Sequence, residues 1–256
     1  MRRRTRFAVL AAIAGLSISV FGVVPSDADT GSNSSWCTTH DKVAIIGTSA
    51  DTGYGTTGYP ADGETYEQTA YGWTFRFGES LHAQWGTTVQ NYSHNGALAA
   101  DYLPGGRWPT TTGAVADITT QQPDLVIIDV GGNEFNAQVS PTTFVNNLTT
   151  LVNDVKAARP GVTILMSIYA ELLWAPNPWA STENYTWDQY ATQIYNTAVS
   201  EGVALVDMRQ YIPSAGDPNQ PNPSPWTSDN IHLNDAGNLA EYGAFWGWTS
   251  SIASIC

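Results

Sequence analysis

The chain of 256 residues is 42% hydrophobic and holds 10 Trp, 12 Tyr, 23 Gly and 14 Pro, a composition that suits one globular α/β or β domain and excludes disorder and a coiled coil. Ten Lys and Arg stand against 23 Asp and Glu, a formal net charge of −13. That is the reverse of the basic footprint a phosphate backbone selects, and it argues against nucleic acid as a partner.

At the N-terminus Arg2, Arg3, Arg4 and Arg6 precede an uncharged stretch from Phe7 to Val24, followed by Pro25 and small residues at Ser26 and Ala28. This is the pattern of a secretory signal peptide over residues 1–28, leaving a domain over 29–256 that is exported, extracellular and monomeric. The competing reading is an uncleaved anchor helix, which Ser17, Ser19 and two glycines weaken; no later segment is long enough to span a bilayer. Without residues 1–28 the chain keeps 6 basic and 22 acidic side chains, a net charge of −16. Cys37 and Cys256 are the two cysteines, and an oxidising compartment predicts a disulfide between them that closes nearly the whole domain.

From Lys42 a short run of β-branched residues, Val43 to Ile46, ends in a Gly-Thr-Ser turn and reads as a buried strand. Similar runs cover 88–93, 124–130, 162–169 and 203–207. Helical patterns lie between them over 66–84, 112–121, 140–159, 185–201 and 235–253. The clearest starts at Ser140 as N-cap with Pro141 first in the helix; Phe144, Leu148, Leu151, Val152 and Val155 share a face before Pro160-Gly161 stops it. Strands alternating with helices predict one doubly wound, flavodoxin-like α/β domain in three layers, with a central parallel sheet of about five strands. Ligands of such sheets sit beyond the carboxyl ends of the strands. Two stretches rich in Pro, Asn, Ser and Trp, 174–187 and 213–228, read as loops on that face.

The strand ends carry polar residues of one kind. They are Gly47 to Gly55 after the first strand, Asn91 to Asp101 after the second, Gly131-Gly132-Asn133-Glu134 after the third, and Asp229-Asn230-Ile231-His232 near the end. Across the domain these four blocks, in this order, resemble the SGNH, or GDSL, hydrolase family. The resemblance implies Ser49 as nucleophile, Asp229 and His232 as its partners, and an oxyanion hole made by the N–H groups of Ser49 and Gly96 and the side-chain amide of Asn133. Two positions depart from the family pattern: Thr48 stands where it has Asp before the nucleophile, and Glu134 where it has Asp closing the third block. They put in question how rigidly the serine loop and Asn133 are held.

The chemistry of the residues agrees. A serine hydroxyl attacks well only when a base takes its proton; His232 is that base, and Asp229, three residues earlier, can fix its tautomer and stabilise the imidazolium. The other readings are bland. His40, His82 and His94 read as structural or surface residues, with His94 near enough to Gly96 to reach a pocket, and Asp51 and Asp101 read as cap or loop carboxylates. No metal-binding spacing is present, so neither cofactor nor metal is expected. Trp174, Trp179, Trp187 and Trp226 crowd the two loops. Trp174, Trp179 and Trp226 are candidates for a substrate cleft, or they pack the loops down. The expected function is hydrolysis of small or medium carboxylic esters through an acyl-enzyme, with deacetylation of an acylated polysaccharide as the alternative and a catalytically dead glycan-binding domain as a distant third.

Overall fold

Four short, largely aliphatic runs and a polar edge segment, Thr-Val-Gln-Asn, form the strands β1 (Lys42–Ile46), β2 (Thr88–Asn91), β3 (Leu125–Ile128), β4 (Thr163–Ile168) and β5 (Ala204–Asp207), the edge segment being β2. All pair in parallel in the order β2-β1-β3-β4-β5. The structure is a computed structural model and describes residues 34–170, 184–212, 225–229 and 231–255. Residues 1–28, Trp174, Trp179 and Cys256 therefore lie outside the described residues. The helices are α1 (Ser49–Thr52), α2 (Trp73–Trp85), α3 (Pro109–Thr112), α4 (Ala114–Gln121), α5 (Gly132–Asn136), α6 (Pro141–Ala158), α7 (Trp187–Glu201) and α8 (Asp235–Ile255).

Side chains alternate across a strand, and in β1, β3, β4 and β5 both faces are buried, whereas the edge strand β2 is partly exposed. Ala44, Ile46, Val126, Ile128, Ile164 and Met166 face one core with α4, α6 and α7, where Phe144, Leu148, Ile118 and Tyr190 are fully enclosed. Val43, Ile45, Leu125, Ile127, Leu165 and Val206 face the other with α2 and α8, built on Trp36, Trp73, Phe77 and Phe245. The expected three layers follow. Each enclosed aliphatic or aromatic side chain contributes about 1.5–3 kcal/mol of burial. The start of α6 is as read from the sequence, with the Ser140 side chain accepting from Thr143 N at 3.1 Å and Pro141 first in the helix. No helix of the described residues is long and apolar enough to cross a membrane.

Strand order turns back at β1, which pairs with β2 on one side and β3 on the other, so the loops after β1 and β3 diverge to leave a crevice. Two helices begin elsewhere than the sequence suggests. The one expected from 66 starts at Trp73, because residues 67–72 hydrogen-bond to the serine loop instead: Glu67 N donates to Thr52 O (3.0 Å) and Thr56 Oγ1 pairs with Thr69 Oγ1 (2.8 Å). The one expected from 112 is two helices that meet at Gly113, the first opened by Pro109. Truncating the enclosed Phe144 to alanine is expected to cost about 3–5 kcal/mol, read as a lowered urea midpoint with an unchanged slope; a loss under about 1 kcal/mol would show that this core collapses onto the gap.

Candidate active site

Ser49 leaves the sheet on a turn that the sequence builds twice over. Thr48 is extended, and its hydroxyl accepts from Ala50 N at 3.3 Å; Asp51 Oδ2 accepts in return from Thr48 N at 2.6 Å, a reciprocal cap at the start of α1. The Thr48 departure thus leaves the serine loop firmly held, its carboxylate supplied from position 51. As first residue of the helix, Ser49 has an N–H with no intrahelical acceptor.

His232 Nε2 lies 2.9 Å from Ser49 Oγ, and His232 Nδ1 lies 2.7 Å from Asp229 Oδ2. A carboxylate can only accept, so Nδ1 carries the ring proton and Nε2 is left to accept from the serine hydroxyl. The other carboxylate oxygen, Oδ1, accepts from His232 N (2.8 Å) and Ile231 N (3.2 Å). Burial pushes the Asp229 carboxyl up, but the His232 hydrogen bond and charge and these two N–H groups outweigh it and hold the carboxyl below its ordinary value. Tyr54 tilts over the imidazole, ring centroids 4.4 Å apart. That approach depends on Gly55, at φ +87°, where a Cβ would stand 2.8 Å from Leu233 O and 3.1 Å from His232 Cβ.

Across the crevice, Asn133, second residue of α5, spends one amide hydrogen on Ala97 O at 3.0 Å, leaving the second. Gly96, at φ +75°, lies beside it. Glu134, the second departure, is fully buried and its Oε1 accepts from Ala99 N at 2.6 Å, tying the Asn133 helix to the Gly96 loop. Burial raises its carboxyl to about 7. Ser49, Gly96, Asn133 and His232 converge on a cavity of about 560 Å³ whose remaining walls are Tyr54, Asn95, Leu98, Arg107, Asn136 and Ala137.

The other candidates settle as follows. Asp101 is a cap that accepts from Leu98 N (2.7 Å) and binds Arg107 through both oxygens. His40 stacks on Trp85 and meets Trp36 edge-on, and burial lowers its pKa against the pull of Asp124 and Asp41. His82 is exposed on α2. His94 is buried on Trp108 and is not among the residues lining the cavity. Trp226 is half-buried against the main core and likewise absent from the cavity wall, while Trp187 is a core residue of α7. Tyr54, Arg107 and the asparagines of the wall were not singled out from the sequence, because short polar loops leave no periodicity to read. Among the described residues no group of three His, Cys, Asp or Glu could hold a metal ion.

The blocks now stand in one place, and the family model for GDSL-like lipases and acylhydrolases matches residues 45–240. The chain belongs to the GDSL-like lipase/acylhydrolase family. It is a serine esterase of that family, acting on small-molecule esters. Solved structures similar to it include a carbohydrate acetylesterase from Sinorhizobium meliloti (18% identity, 84% of this chain and 100% of that one, TM-score 0.63). An aryl esterase from M. smegmatis has 19% identity over 83% and 99% of the two chains, with a TM-score of 0.62. An acetylxylan esterase from Geobacillus stearothermophilus has 19% identity over 82% and 94%, with a TM-score of 0.60. No curated protein matches the sequence.

Behind the nucleophile of this GDSL-type site lies a feature no sequence block announces. Asp51, Asp129 and Glu241 are all buried, and both Glu241 oxygens, Asp51 Oδ1 and Asp129 Oδ2 have no hydrogen-bond partner among the described residues. Burial, reinforced by Asp129, holds Asp51 well above the carboxylate range; burial raises Asp129 to about 7; burial, then Asp129 and Asp51, holds Glu241 well above it. Folded pKa values above the unfolded ones mean that the folded state keeps protons the unfolded chain releases. The associated stability is present in full below about pH 4 and is lost as pH rises through 7. Asp101 and Asp229 shift downward and act in the opposite sense, only at lower pH. The thermal midpoint is therefore expected to fall by several degrees between pH 5 and 8, and Glu241→Gln should flatten that fall and leave the pH 4.5 value nearly unchanged. Parallel profiles for the two proteins, by differential scanning calorimetry, would contradict this.

Proposed function

We propose that the chain hydrolyses carboxylic esters through an acyl-enzyme on Ser49. The observation that carries this is the unbroken relay from Asp229 through His232 to Ser49, at 2.7 and 2.9 Å, on the wall of a 560 Å³ cavity. As Ser49 Oγ attacks the carbonyl carbon, Nε2 takes its proton and Asp229 stabilises the imidazolium. The carbonyl oxygen becomes an oxyanion facing Ser49 N–H, Gly96 N–H and the second Asn133 amide hydrogen. Collapse expels the alcohol, protonated by His232. Water, deprotonated by the same histidine, then releases the acid and restores Ser49.

The cavity wall favours the carbohydrate-ester form of this reading. Asn136 and Arg107 offer hydrogen bonds to hydroxyls and Tyr54 an exposed aromatic face, against Leu98 and Ala137 as the aliphatic wall among the described residues. Such a wall suits a small acyl group on a polyhydroxylated alcohol better than a long acyl chain. Two similar folds are those of a carbohydrate acetylesterase and an acetylxylan esterase, which accords with this. A dead glycan-binding domain would have no use for an aligned nucleophile, base and carboxylate.

Export and a terminal clasp complete the proposal. The charged and apolar pattern of residues 1–28 supports cleavage ahead of Asp29. Trp36 Nε1 donates to Thr249 O at 3.2 Å, so Cys37 lies beside the final turns of α8, which ends at Ile255, next to Cys256 in the sequence. Among the described residues no cysteine is free.

A fluorophosphonate probe is expected to label Ser49 alone, and Ser49→Ala and His232→Ala should each lower kcat on a small activated acetate by several orders of magnitude with the fold intact. Labelling elsewhere with Ser49→Ala still active refutes the mechanism. Asn133→Ala should lower kcat about 100- to 1000-fold with little change in KM; a change confined to KM would make Asn133 a ground-state contact. Acetylated glycans should outpace esters of longer acids, the reverse favouring a lipid-like substrate. In protein secreted by the native host, mass spectrometry without reduction should find an N-terminus at Asp29 and a Cys37–Cys256 cross-link; two free thiols would exclude the clasp.

A further inference from the structure

The N–H of Gly96 has no acceptor among the described residues, and Gly96 lies on the cavity wall. Its direction is set one peptide upstream. A trans peptide is planar with its N–H and C=O antiparallel, so the Gly96 N–H points opposite to the Asn95 carbonyl. That carbonyl lies 2.9 Å from His94 Nδ1. An oxygen of this kind only accepts, so Nδ1 carries a hydrogen and donates it.

His94 is well placed to hold that bond. It is 5% exposed and lies nearly flat on Trp108, with centroids 3.8 Å apart and planes 13° apart. Its own N–H reaches Gly47 O, the residue two before the nucleophile. The next peptide is held separately, since Arg107 Nη2 donates to Gly96 O at 2.6 Å and its guanidinium rests 4.2 Å over Trp108. A glycine at positive φ resists a peptide flip less than any other residue. A flip would turn the Asn95 carbonyl, a negative dipole end, toward the place where the substrate oxygen becomes negative.

We infer that His94, acting through the Asn95 carbonyl, is the positioning residue that aims the Gly96 N–H at the oxyanion. This rests on the serine mechanism proposed above. It also gives a use to a buried histidine that neither touches the cavity nor takes part in the relay.

The test is steady-state kinetics of the full chain on a small activated acetate ester. His94→Phe keeps a ring on Trp108 and removes the donor; His94→Asn returns an amide N–H near the Nδ1 position. One oxyanion donor is worth about 100- to 1000-fold, so losing only its aim should lower kcat about 10- to 100-fold in His94→Phe with KM within about 2-fold. His94→Asn should recover kcat to within about 3-fold of the parent. Affinity for a boronic acid that forms an anionic tetrahedral adduct should weaken in step with kcat. An unchanged kcat, a change in KM alone, or a folded His94→Asn no faster than His94→Phe overturns the inference. Should His94→Phe not fold, His94→Gln replaces it: its amide sits one bond too far out, and equal rates in the Gln and Asn variants overturn the inference as well. Ser49→Ala separates the two levels. If it still turns over, the serine mechanism falls and this inference with it; if it is inactive and His94→Phe is not slowed, only the inference falls.

Discussion

The position of the nucleophile rests on a carboxyl group buried beneath it. Asp51 is fully enclosed, and its Oδ2 fills the space a Cβ at Gly47 would need. The same oxygen accepts from Thr48 N, while the Asp51 carbonyl accepts from Asn91 Nδ2 (2.9 Å) and Thr74 Oγ1 (3.1 Å). Ser49 is thereby tied to β2 and α2 as well as to its own strand. The arrangement is costly, because a buried carboxyl is tolerated when it is paired or neutral, and no cation is paired with Asp51, Asp129 or Glu241 among the described residues. Burial raises all three carboxyls, Asp129 to about 7, and so favours their neutral forms.

The Gly96 and Asn133 side of the cavity is held differently, by cross-bracing two loops. Asn133 donates to Ala97 O, Glu134 accepts from Ala99 N, and Asp101 caps Leu98 while gripping Arg107, which in turn holds Gly96 O. Glu134 carries one more methylene than the family's aspartate, and here it bridges from α5 to the backbone at Ala99. The two departures from the family pattern, Thr48 and Glu134, are thus both accommodated by hydrogen bonds to backbone. The loops after β2 and β3 act as one body.

How much of this was legible follows from what leaves a pattern in sequence. The strands β1, β3 and β4 read clearly, since buried parallel strands are continuous aliphatic runs rich in β-branched residues, and α6 read to within a residue because a cap, an N1 proline and a 3.6-residue stripe agree. Asp229 and His232 read as a pair because three residues is the spacing at which one loop can turn a carboxylate onto its own histidine. The start of α2 did not read: Tyr66 to Thr69 carry no helix breaker, and only tertiary bonds to Thr52 and Thr56 pull them out of the helix. Glu241 was hidden on a helix apolar almost all round. A tryptophan in a polar loop has no sequence mark that tells a platform from an anchor.

The base lies on a short segment rather than on the sheet, and its distance from Ser49 is kept by bonds that converge from three directions. Tyr169 Oη, at the end of β4, donates to Ile231 O at 2.7 Å; burial keeps that phenol protonated and so a donor. Thr227 and Leu233 bridge antiparallel to close the turn, and Ser228 N reaches His232 O at 2.8 Å. From the serine side, the Thr57 N–H and hydroxyl both bind Asp235 at the head of α8, at 2.8 Å each. The loop that follows Ser49 therefore grips the element that follows His232. Gly55 leaves no room for a side chain beside His232 Cβ, so the loop after Ser49 and the segment that carries His232 lie close together around the 2.9 Å contact.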